Sequence, residues 1–404
     1  MDTFKLAWRN VWRNPRRSGV TIAATSLALF VMIFYSGLIT GYMNGMERNI
    51  IDLEVGDAQV FAEGYRKLPS LYTSIEAPDE LLGKLGEAGF RGTARLHGSG
   101  LAAAGDNSSG IMLRGLDPER DALVSSVHTR ITDGSWLDVG APSEVVIGRR
   151  LAKTLGVAVG AELVVLSQAA DGSTANDLYT VRGVLGSVSD PVDRGTVFMT
   201  EGAFRELMVF PEGAHQLLVR KPAELELKEA TEALVTLTPG LEAKSWKEIM
   251  PTMASMLEAG RSAQMIMFVI VYLAIGIIVL NAMLMAVFER IREFGVLKAL
   301  GVSPGTVLRL IFLETLIQSA IAVLIGVALS IPVNYYMVHT GLDLASLGNL
   351  SVMGMAMDTT WRSEVDLSTY TGPIQTLLVI ILLAVIYPAM RAAFIRPLDA
   401  IRHQ

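Results

Sequence analysis

Long apolar stretches alternate along the chain with segments of mixed polarity. Four stretches contain no charged residue, at positions 19–46, 262–288, 315–342 and 367–390. A helix needs about 20 mostly apolar residues to cross a bilayer, and buried helices of soluble proteins are rarely so long. The first stretch is also too long for the apolar region of a signal peptide. The pattern therefore predicts four transmembrane helices, the third of which begins earlier, at 304, where a helix start signal lies.

Basic residues are distributed unevenly around these predicted spans. They lie before the first span, between the second and third, and after the fourth: Lys5, Arg9, Arg13, Arg16, Arg17, Arg290, Arg292, Lys298, Arg309, Arg391, Arg396 and Arg402. The loop 343–366 contains only Arg362, beside four acidic residues. Because positively charged loops stay in the cytoplasm, we expect both termini, including the tail 391–404, to be cytoplasmic. The segment 47–261 and the loop 343–366 are then extracytoplasmic.

The segment 47–261 has the pattern of a folded domain. Short β-branched runs bounded by turn residues predict strands at Glu144–Gly148, Glu162–Leu166, Tyr179–Val184 and Gly195–Met199. Helices are predicted at Arg149–Leu155, ended by Gly156, and at Glu224–Leu237. The fold class predicted is a membrane protein of four transmembrane α-helices, with an α+β extracytoplasmic domain inserted between spans 1 and 2.

The first 18 residues predict an amphipathic helix. Phe4, Trp8, Val11 and Trp12 recur at helical spacing on one face, with basic residues between them. Tryptophans interleaved with basic residues are typical of a helix lying in the lipid headgroup plane. The alternative is a basic leader that only sets the topology. We favour the interfacial helix at 1–18, because the aromatic residues keep helical spacing.

The loop between the second and third spans, 289–303, predicts a short helix with sharp ends. Apolar residues repeat at three-residue steps to form a narrow stripe: Ile291, Phe294, Leu297 and Leu300. Gly301 is placed to end this helix, and Ser303 followed by Pro304 predicts the start of the next one. A short, rigid helix of mixed charge between two spans is suited to dock on another protein. The alternative is an ordinary turn of a helical hairpin.

Composition supports a membrane protein and excludes several functions. The chain is 51% hydrophobic and 18% charged, whereas soluble domains have about a quarter of charged residues. The net charge of −6 is too mild to suggest nucleic-acid binding. There is no cysteine, the five histidines lack metal-ligand spacing, and no Walker A motif occurs. We therefore expect no enzymatic activity and no cofactor or metal in this chain.

Two segments resemble a known family. The sequence E-R-I-R-E-F-G-V-L-K-A-L-G at 289–301 and the tail Y-P-A-M-R-A-A-F-I-R-P-L-D-A-I-R at 387–402 resemble ABC-transporter permeases of the MacB/FtsX superfamily. Looser resemblances lie at Gly115–Pro118, Ile147–Gly160 and Val197–Thr200. In that superfamily the short helix sits in a cleft of the ATPase. The resemblance assigns ATPase coupling to Glu289, Arg292, Glu293, Phe294, Gly295, Leu297 and Lys298, with Glu293 facing a basic residue of the ATPase.

The resemblance also implies partners and a mode of action. Two permease subunits, identical or paralogous, would stand on an ABC ATPase dimer that binds ATP and magnesium. The extracytoplasmic domain would have two lobes, about 47–113 with 215–260, and 114–214. Such permeases form no solute pore and instead transmit ATP-driven motion across the membrane.

Size and domain order are most similar to lipoprotein-releasing permeases of the bacterial inner membrane. These extract lipoproteins, or other lipidated substrates, and one member recruits a periplasmic chaperone through a long, proline-bearing hook. The corresponding stretch Ser167–Asp177 is short, polar and without proline, which argues against chaperone capture. The alternatives are an export permease working with a membrane-fusion protein and an outer-membrane channel, and a signalling permease that activates an envelope hydrolase.

Individual residues in the spans suggest two further roles. Met43, Met265, Met267 and Phe268 lie near the outer ends of spans 1 and 2, where flexible side chains could line a cavity for acyl chains. Lipid-facing or packing roles explain them equally well. Glu314 lies one turn into span 3, where a carboxylate is a functional candidate. Because it is shallow and Arg309 is close, we favour a structural ion pair or an interface role.

Overall fold

The protein consists of two compact units. The computed structural model describes residues 3–343, 351–352, 355–356 and 360–394. The helical unit comprises Met1–Asn44, Glu258–Leu344 and Thr360–Gln404, and the inserted domain comprises Gly45–Leu257 and Ala345–Thr359. Most of the tail predicted at 391–404, and part of the predicted loop 343–366, lie outside the described residues.

The described helices follow the predicted order along the chain. They are α1 (Thr3–Arg13), α2 (Pro15–Ile50), α3 (Pro78–Glu87), α4 (Pro118–Ala122), α5 (Arg149–Leu155), α6 (Asp190–Gly195), α7 (Glu201–Met208), α8 (Leu227–Leu237), α9 (Trp246–Ile249), α10 (Pro251–Glu289), α11 (Ile291–Ala299), α12 (Pro304–His339) and α13 (Leu367–Phe394). A π-helical turn, Ile51–Val55, follows α2, and a 3-10 turn spans Val127–Arg130.

Four helices in the described part of the chain are long and apolar enough to cross a membrane. They are Ser18–Val55, Pro251–Glu289, Pro304–His339 and Leu367–Phe394. The first, second and fourth helices contain the whole charge-free stretch that predicted them, whereas the third begins before its stretch and ends at His339, before the predicted end at 342. The architecture of four membrane-spanning helices with a mixed domain between the first and second is therefore confirmed.

Ten strands of the inserted domain belong to one sheet. They are β1 (Ala58–Ala62), β2 (Arg91–Ala104), β3 (Asn107–Leu116), β4 (Ile131–Gly134), β5 (Glu144–Ile147), β6 (Glu162–Gln168), β7 (Thr174–Leu185), β8 (Thr196–Thr200), β9 (Gln216–Arg220) and β10 (Leu241–Ser245). Two further two-stranded ladders join β11 (Leu342–Asp343) with β14 (Thr360–Trp361), and β12 (Ser351–Val352) with β13 (Met355–Ala356).

Six of these strands close into a ring. Pairings run from β2 to β3, β8, β5, β7, β6 and back to β2. The first half of β2 instead pairs with β9, which continues to β1 and β10. Buried side chains of the ring and of this extension share one hydrophobic core. The division into two lobes, about 47–113 with 215–260 and 114–214, remains a prediction, and its approximate boundary at 113/114 falls inside β3.

The predicted strands and helices of this domain are confirmed, with small shifts at their ends. The four predicted strands correspond to β5, β6, the second half of β7, and β8. Helix α5 ends at Gly156, whose φ of +71° suits glycine. Helix α8 begins at Leu227 and not at Glu224, because Glu226 and Glu229 form a capping box at its start.

Candidate functional site: the short helix between two spans

Local sequence signals set both ends of α11. Helix α10 stops at Glu289, and Arg290 takes the position before the first turn of α11. After α11, Gly301 adopts a φ of +90°, a left-handed conformation that glycine adopts without steric cost. The Ser303 hydroxyl accepts a hydrogen bond of 3.4 Å from the Thr306 amide and caps α12. The predicted stop and restart of the helix are both confirmed.

The segment 301–305, G-V-S-P-G, also matches the G-x-S-x-G pattern of serine hydrolases. In those enzymes the serine sits on a sharp turn from a strand into a helix. Here Ser303 joins two helices, and its hydroxyl serves as a helix cap. The geometry therefore supports a structural serine and not a nucleophile.

One side of α11 packs inside the helical unit. Phe294 is 1% exposed, and Ile291 and Gly295 are also buried. Phe294 belongs to the same core as Val307 of α12 and Ala389 of α13. The predicted docking stripe is thus corrected in part. Ile291 and Phe294, its first two residues, face the bundle, because they lie on the same side of α11 as the buried Gly295.

The opposite side of α11 is exposed. Val296 is 50% exposed and Leu300 is 77% exposed, and Arg292, one turn before Val296, is exposed as well. The spacing of four residues places these three side chains on one face. We call Arg292, Val296 and Leu300 the outer face of α11. It offers two apolar side chains bordered by one cation.

A network of charged groups holds α11 against its neighbours. The Arg290 guanidinium donates to both carboxylate oxygens of Glu314, at 2.9 and 2.8 Å, and to Glu293 at 3.2 Å. Glu293 also binds Arg13 of α1, and Asn10 of α1 donates to Glu314. The ion pair predicted for Glu314 is therefore confirmed, but its partner is Arg290, at the junction of α10 and α11, and not Arg309.

Glu293 is placed by these bonds. Burial alone would raise the pKa of its carboxyl, but hydrogen bonds from Arg13 and Arg290 hold this pKa below its usual value. The carboxylate is thus ionised and engaged within the chain. A salt bridge from Glu293 to a basic residue of an ATPase would have to compete with Arg13 and Arg290.

The remaining predicted coupling residues are divided between the two sides. Glu289 is exposed, and Leu297 is half-buried against the core. The Lys298 ammonium donates to the Ala393 carbonyl at 2.7 Å, in the last turn of α13. A cation bound to the carbonyl end of a helix is favoured by the helix dipole. Lys298 therefore joins α11 to α13.

The predicted acyl-chain residues differ in exposure and in the residues that they contact. Met265 and Met267 are exposed on α10, whereas Phe268 packs against the rings of Tyr35 and Tyr272. Met43 is half-buried and lies against Gly260. Only 17% of the apolar window of α10 is buried, against 33% to 39% in the other three spans. Among the four described spans, helix α10 therefore has the smallest buried share of its apolar window.

An apolar groove along α10 was not predicted from the sequence. It encloses about 480 Å³ between α10 and α13. Gly276 makes room for it, and Tyr272, Ile380 and Tyr387 are among its walls. The only sequence signal is a glycine within a long apolar helix, which is too common to single out.

The hairpin of β6 and β7 folds back on the inserted domain. Its tip is a five-residue turn, in which the Ala170 amide donates to the Met208 carbonyl at 2.8 Å. The Ser167 hydroxyl donates to the Ser99 carbonyl at 2.6 Å. The tip is thus bonded to the domain and does not project as a hook. Within the described ranges, no group of three or more histidine and carboxylate side chains is arranged to hold a metal ion.

Comparison with known proteins is consistent with this arrangement. The profile of the FtsX-like permease C-terminal domain matches residues 265–397, and that of the MacB-like periplasmic core domain matches residues 18–240. A lipoprotein-releasing system transmembrane protein, LolC, of Neisseria meningitidis serogroup B is 22% identical over 412 aligned positions, covering 95% of this chain and 94% of that protein. LolC of Xylella fastidiosa is 21% identical over 309 positions, covering 74% and 75%.

Among solved structures, the periplasmic region of MacB from Actinobacillus actinomycetemcomitans shares 13% identity and a TM-score of 0.36, over 49% of this chain and 92% of that one. Together, the two matched domains span almost the whole chain, from the start of α2 to the end of α13. The chain belongs to the MacB/FtsX family of ABC-transporter permeases.

Proposed function

We propose that this permease couples ATP hydrolysis by a separate ATPase dimer to the extraction of lipoproteins from the bacterial inner membrane. The observation that carries the coupling step is the outer face of α11. Its side chains are exposed, while the other side of the helix is fixed in the core and by the Arg290 network. A helix held in this way transmits a push at its outer face to α12 and α13. ATP and magnesium would be bound by the ATPase and not by this chain.

The proposed orientation places the α11 end of the helical unit in the cytoplasm. Arg13, Arg292 and Lys298 lie at this end, whereas Asp343, Glu364 and Asp366 lie in the connection between α12 and α13. This asymmetry favours cytoplasmic termini and an inserted domain on the periplasmic side.

A second permease subunit would cover α10. The span with the least buried apolar surface is the one that a partner stabilises most. Acyl chains of a lipoprotein would enter along the same helix near Met265 and Met267, which are exposed there. Methionine side chains adapt to irregular apolar ligands. Whether the partner is identical or paralogous stays open.

The lipoprotein substrate is supported by the two LolC relatives, which carry that function in their names. The short β6–β7 hairpin favours a transporter that does not capture a chaperone with this hairpin. The same observation keeps an export permease, working with a membrane-fusion protein and an outer-membrane channel, as the second candidate. A signalling permease that activates an envelope hydrolase is the third.

The ATPase contact is tested by substitutions on the outer face. Val296→Asp and Leu300→Asp should lower recovery of the ATPase in pull-downs from detergent extract by about tenfold or more, since burying an unpaired carboxylate costs several kcal/mol. Leu123→Asp is the matched control, because Leu123 is an exposed leucine of the inserted domain. Wild-type recovery with both α11 variants would remove the proposed contact.

The substrate is tested by purifying the complex from its native membrane and identifying the bound lipids and proteins. A triacylated lipoprotein, released from spheroplasts in an ATP-dependent manner, would support the proposal. Copurification of a membrane-fusion protein without lipoprotein would favour the export permease. Copurification of a cell-wall hydrolase would favour the signalling permease.

A further inference from the structure

Helix α1 presents two contrasting faces. Ala7 and Val11 are fully buried in the core of the helical unit. Phe4, Trp8 and Trp12 are exposed along one side, where the two indole rings meet edge to face at 6.1 Å. Val11 was expected on this aromatic side and lies instead against the bundle. The exposed aromatic side is therefore a narrow stripe beside the buried one.

The position of α1 along the chain places this stripe at the membrane surface. Only Asn14 separates α1 from α2, and the membrane-spanning part of α2 starts at Ser18. An exposed tryptophan next to the entry point of a span is typical of the headgroup layer. The sequence of α1 contains Lys5, Arg9 and Arg13 and no acidic residue, so the helix complements an anionic surface.

The same helix is bonded to the coupling element. Arg13 binds Glu293 of α11, and Asn10 donates to Glu314, the carboxylate that holds Arg290. The buried side of α1 shares its core with Phe294 of α11. A displacement of α11 is therefore resisted by α1 through both polar and apolar contacts.

We propose that α1 is a brace between the anionic headgroups of the bilayer and α11, so that anionic phospholipid stiffens the coupling helix. The proposal rests on the proposed contact of α11 with an ATPase for its purpose, but the physical link from lipid to α11 stands on the contacts above. With α1 held in the headgroup layer, α11 has a fixed point against which to transmit force. Without anionic lipid, α1 and α11 would move together.

The test uses the absence of cysteine from this chain. A spin label on Val296→Cys reports the mobility of α11 in the full-length permease, without ATPase, in nanodiscs. Nanodiscs of phosphatidylcholine alone are compared with nanodiscs of phosphatidylcholine and phosphatidylglycerol in equal amounts. We expect the mobile fraction of the label to fall by about twofold in the anionic bilayer, because basic residues near an anionic surface are attracted to it. Equal mobility in the two bilayers would overturn the brace.

Variants separate the two ends of the brace. Trp8→Ala with Trp12→Ala should abolish the lipid dependence, whereas Trp8→Phe with Trp12→Phe should keep it. Asn10→Ala with Glu293→Gln weakens the bonds that join α1 to α11 and α12 but keeps the three basic residues of α1, and it should leave the label mobile in both bilayers. Asn10→Gln alone should keep the wild-type response. Thermal unfolding of every variant identifies any that fail to fold. A lipid dependence that persists in the folded Trp→Ala double variant would contradict the proposal.

Pull-down of the ATPase with the same variants distinguishes this proposal from the proposed function. If the wild-type chain does not recover the ATPase, but the mobility of its spin label depends on the lipid, the ATPase contact is refuted and the brace is not. If the ATPase is recovered normally, but the mobility of the label is the same in both bilayers, only the brace is refuted.

Discussion

Two arginine–carboxylate pairs show how differently the two units use buried charge. In the inserted domain, Arg95 and Asp121 are 1% and 2% exposed and meet in a bidentate pair, at 2.7 and 3.0 Å. In the helical unit, one guanidinium nitrogen of Arg290 donates to both carboxylate oxygens of Glu314, and the network continues outward through Glu293 to Arg13. The pairs along this path become steadily more exposed, and Arg13 and Glu293 are 54% and 42% exposed.

The two networks differ in how freely their bonds can be exchanged. A closed, fully buried pair has one arrangement, and separating it leaves an uncompensated charge in the core. A graded network can exchange its outer bonds with water or lipid, because exposed ion pairs are weak. The Arg95–Asp121 pair therefore has one arrangement inside a domain core, whereas the Arg290 network joins α1, α11 and α12 through bonds that can be exchanged.

The largest effect is expected at the closed pair. Arg95→Leu should destabilise the inserted domain by about 3–5 kcal/mol, since it leaves Asp121 buried without a partner. The measurement is thermal unfolding of the full chain, followed by limited proteolysis of the domain. Arg120→Leu is the control, because Arg120 pairs with Asp79 on the surface. A loss no greater than that of the control would show that the buried pair does not hold the domain.

A smaller loss is expected at the inner end of the graded network. Glu314→Leu should destabilise the helical unit by about 2 kcal/mol, because Arg290 keeps Glu293 as a partner and loses two charge-assisted hydrogen bonds. Glu314→Gln, which preserves an acceptor, should cost less. Thermal unfolding in detergent compares the two. Equal costs for the two variants would indicate that packing, and not charge, determines the role of Glu314.

The inserted domain should also lose stability in acid, independently of these pairs. Burial lowers the pKa of both His97 and His215, and the nearby Arg114 contributes at His97. The unfolded chain then binds more protons as the pH falls below about 6.5, so stability decreases by about 1.4 kcal/mol per histidine for each pH unit, down to the folded pKa. Unfolding of the domain at pH 7.5 and pH 5.5 measures this slope. His97→Asn should reduce it, and an unchanged slope would contradict the assignment.

The smallest effect on stability is expected at the outer end of the network. Arg13→Gln should cost less than about 1 kcal/mol, because both partners are largely exposed. Its consequence should be seen in the mobility of α11 instead. A cost as large as that of Glu314→Leu would mean that the network is as closed as the Arg95–Asp121 pair, and would remove the contrast between the two units.

Local signals predicted the ends of α11 well, because they depend on neighbouring residues alone. Gly301 ends the helix through its own backbone conformation, and Ser303 with Pro304 starts the next one. The four spans could be predicted for a related reason: the bilayer requires long apolar helices, whatever packs against them.

Which side of α11 packs in its own chain, and which side is exposed, could not be predicted in this way. The spacing of Ile291, Phe294, Leu297 and Leu300 indicates an apolar stripe, but a stripe does not reveal whether its partner is the same chain or another protein. Glu314 illustrates the same difficulty. Arg309 is its neighbour in sequence, whereas Arg290 is brought to it by the packing of α10 against α12.

We propose that the outer face of α11 is the surface that an ATPase covers. Single cysteines at Val296, Leu300 and Leu123 in this cysteine-free chain can be labelled with a maleimide in detergent, with and without the ATPase. The account predicts that bound ATPase protects positions 296 and 300 from labelling and leaves position 123 fully reactive. Equal labelling of positions 296 and 300 in the presence and absence of bound ATPase would contradict it.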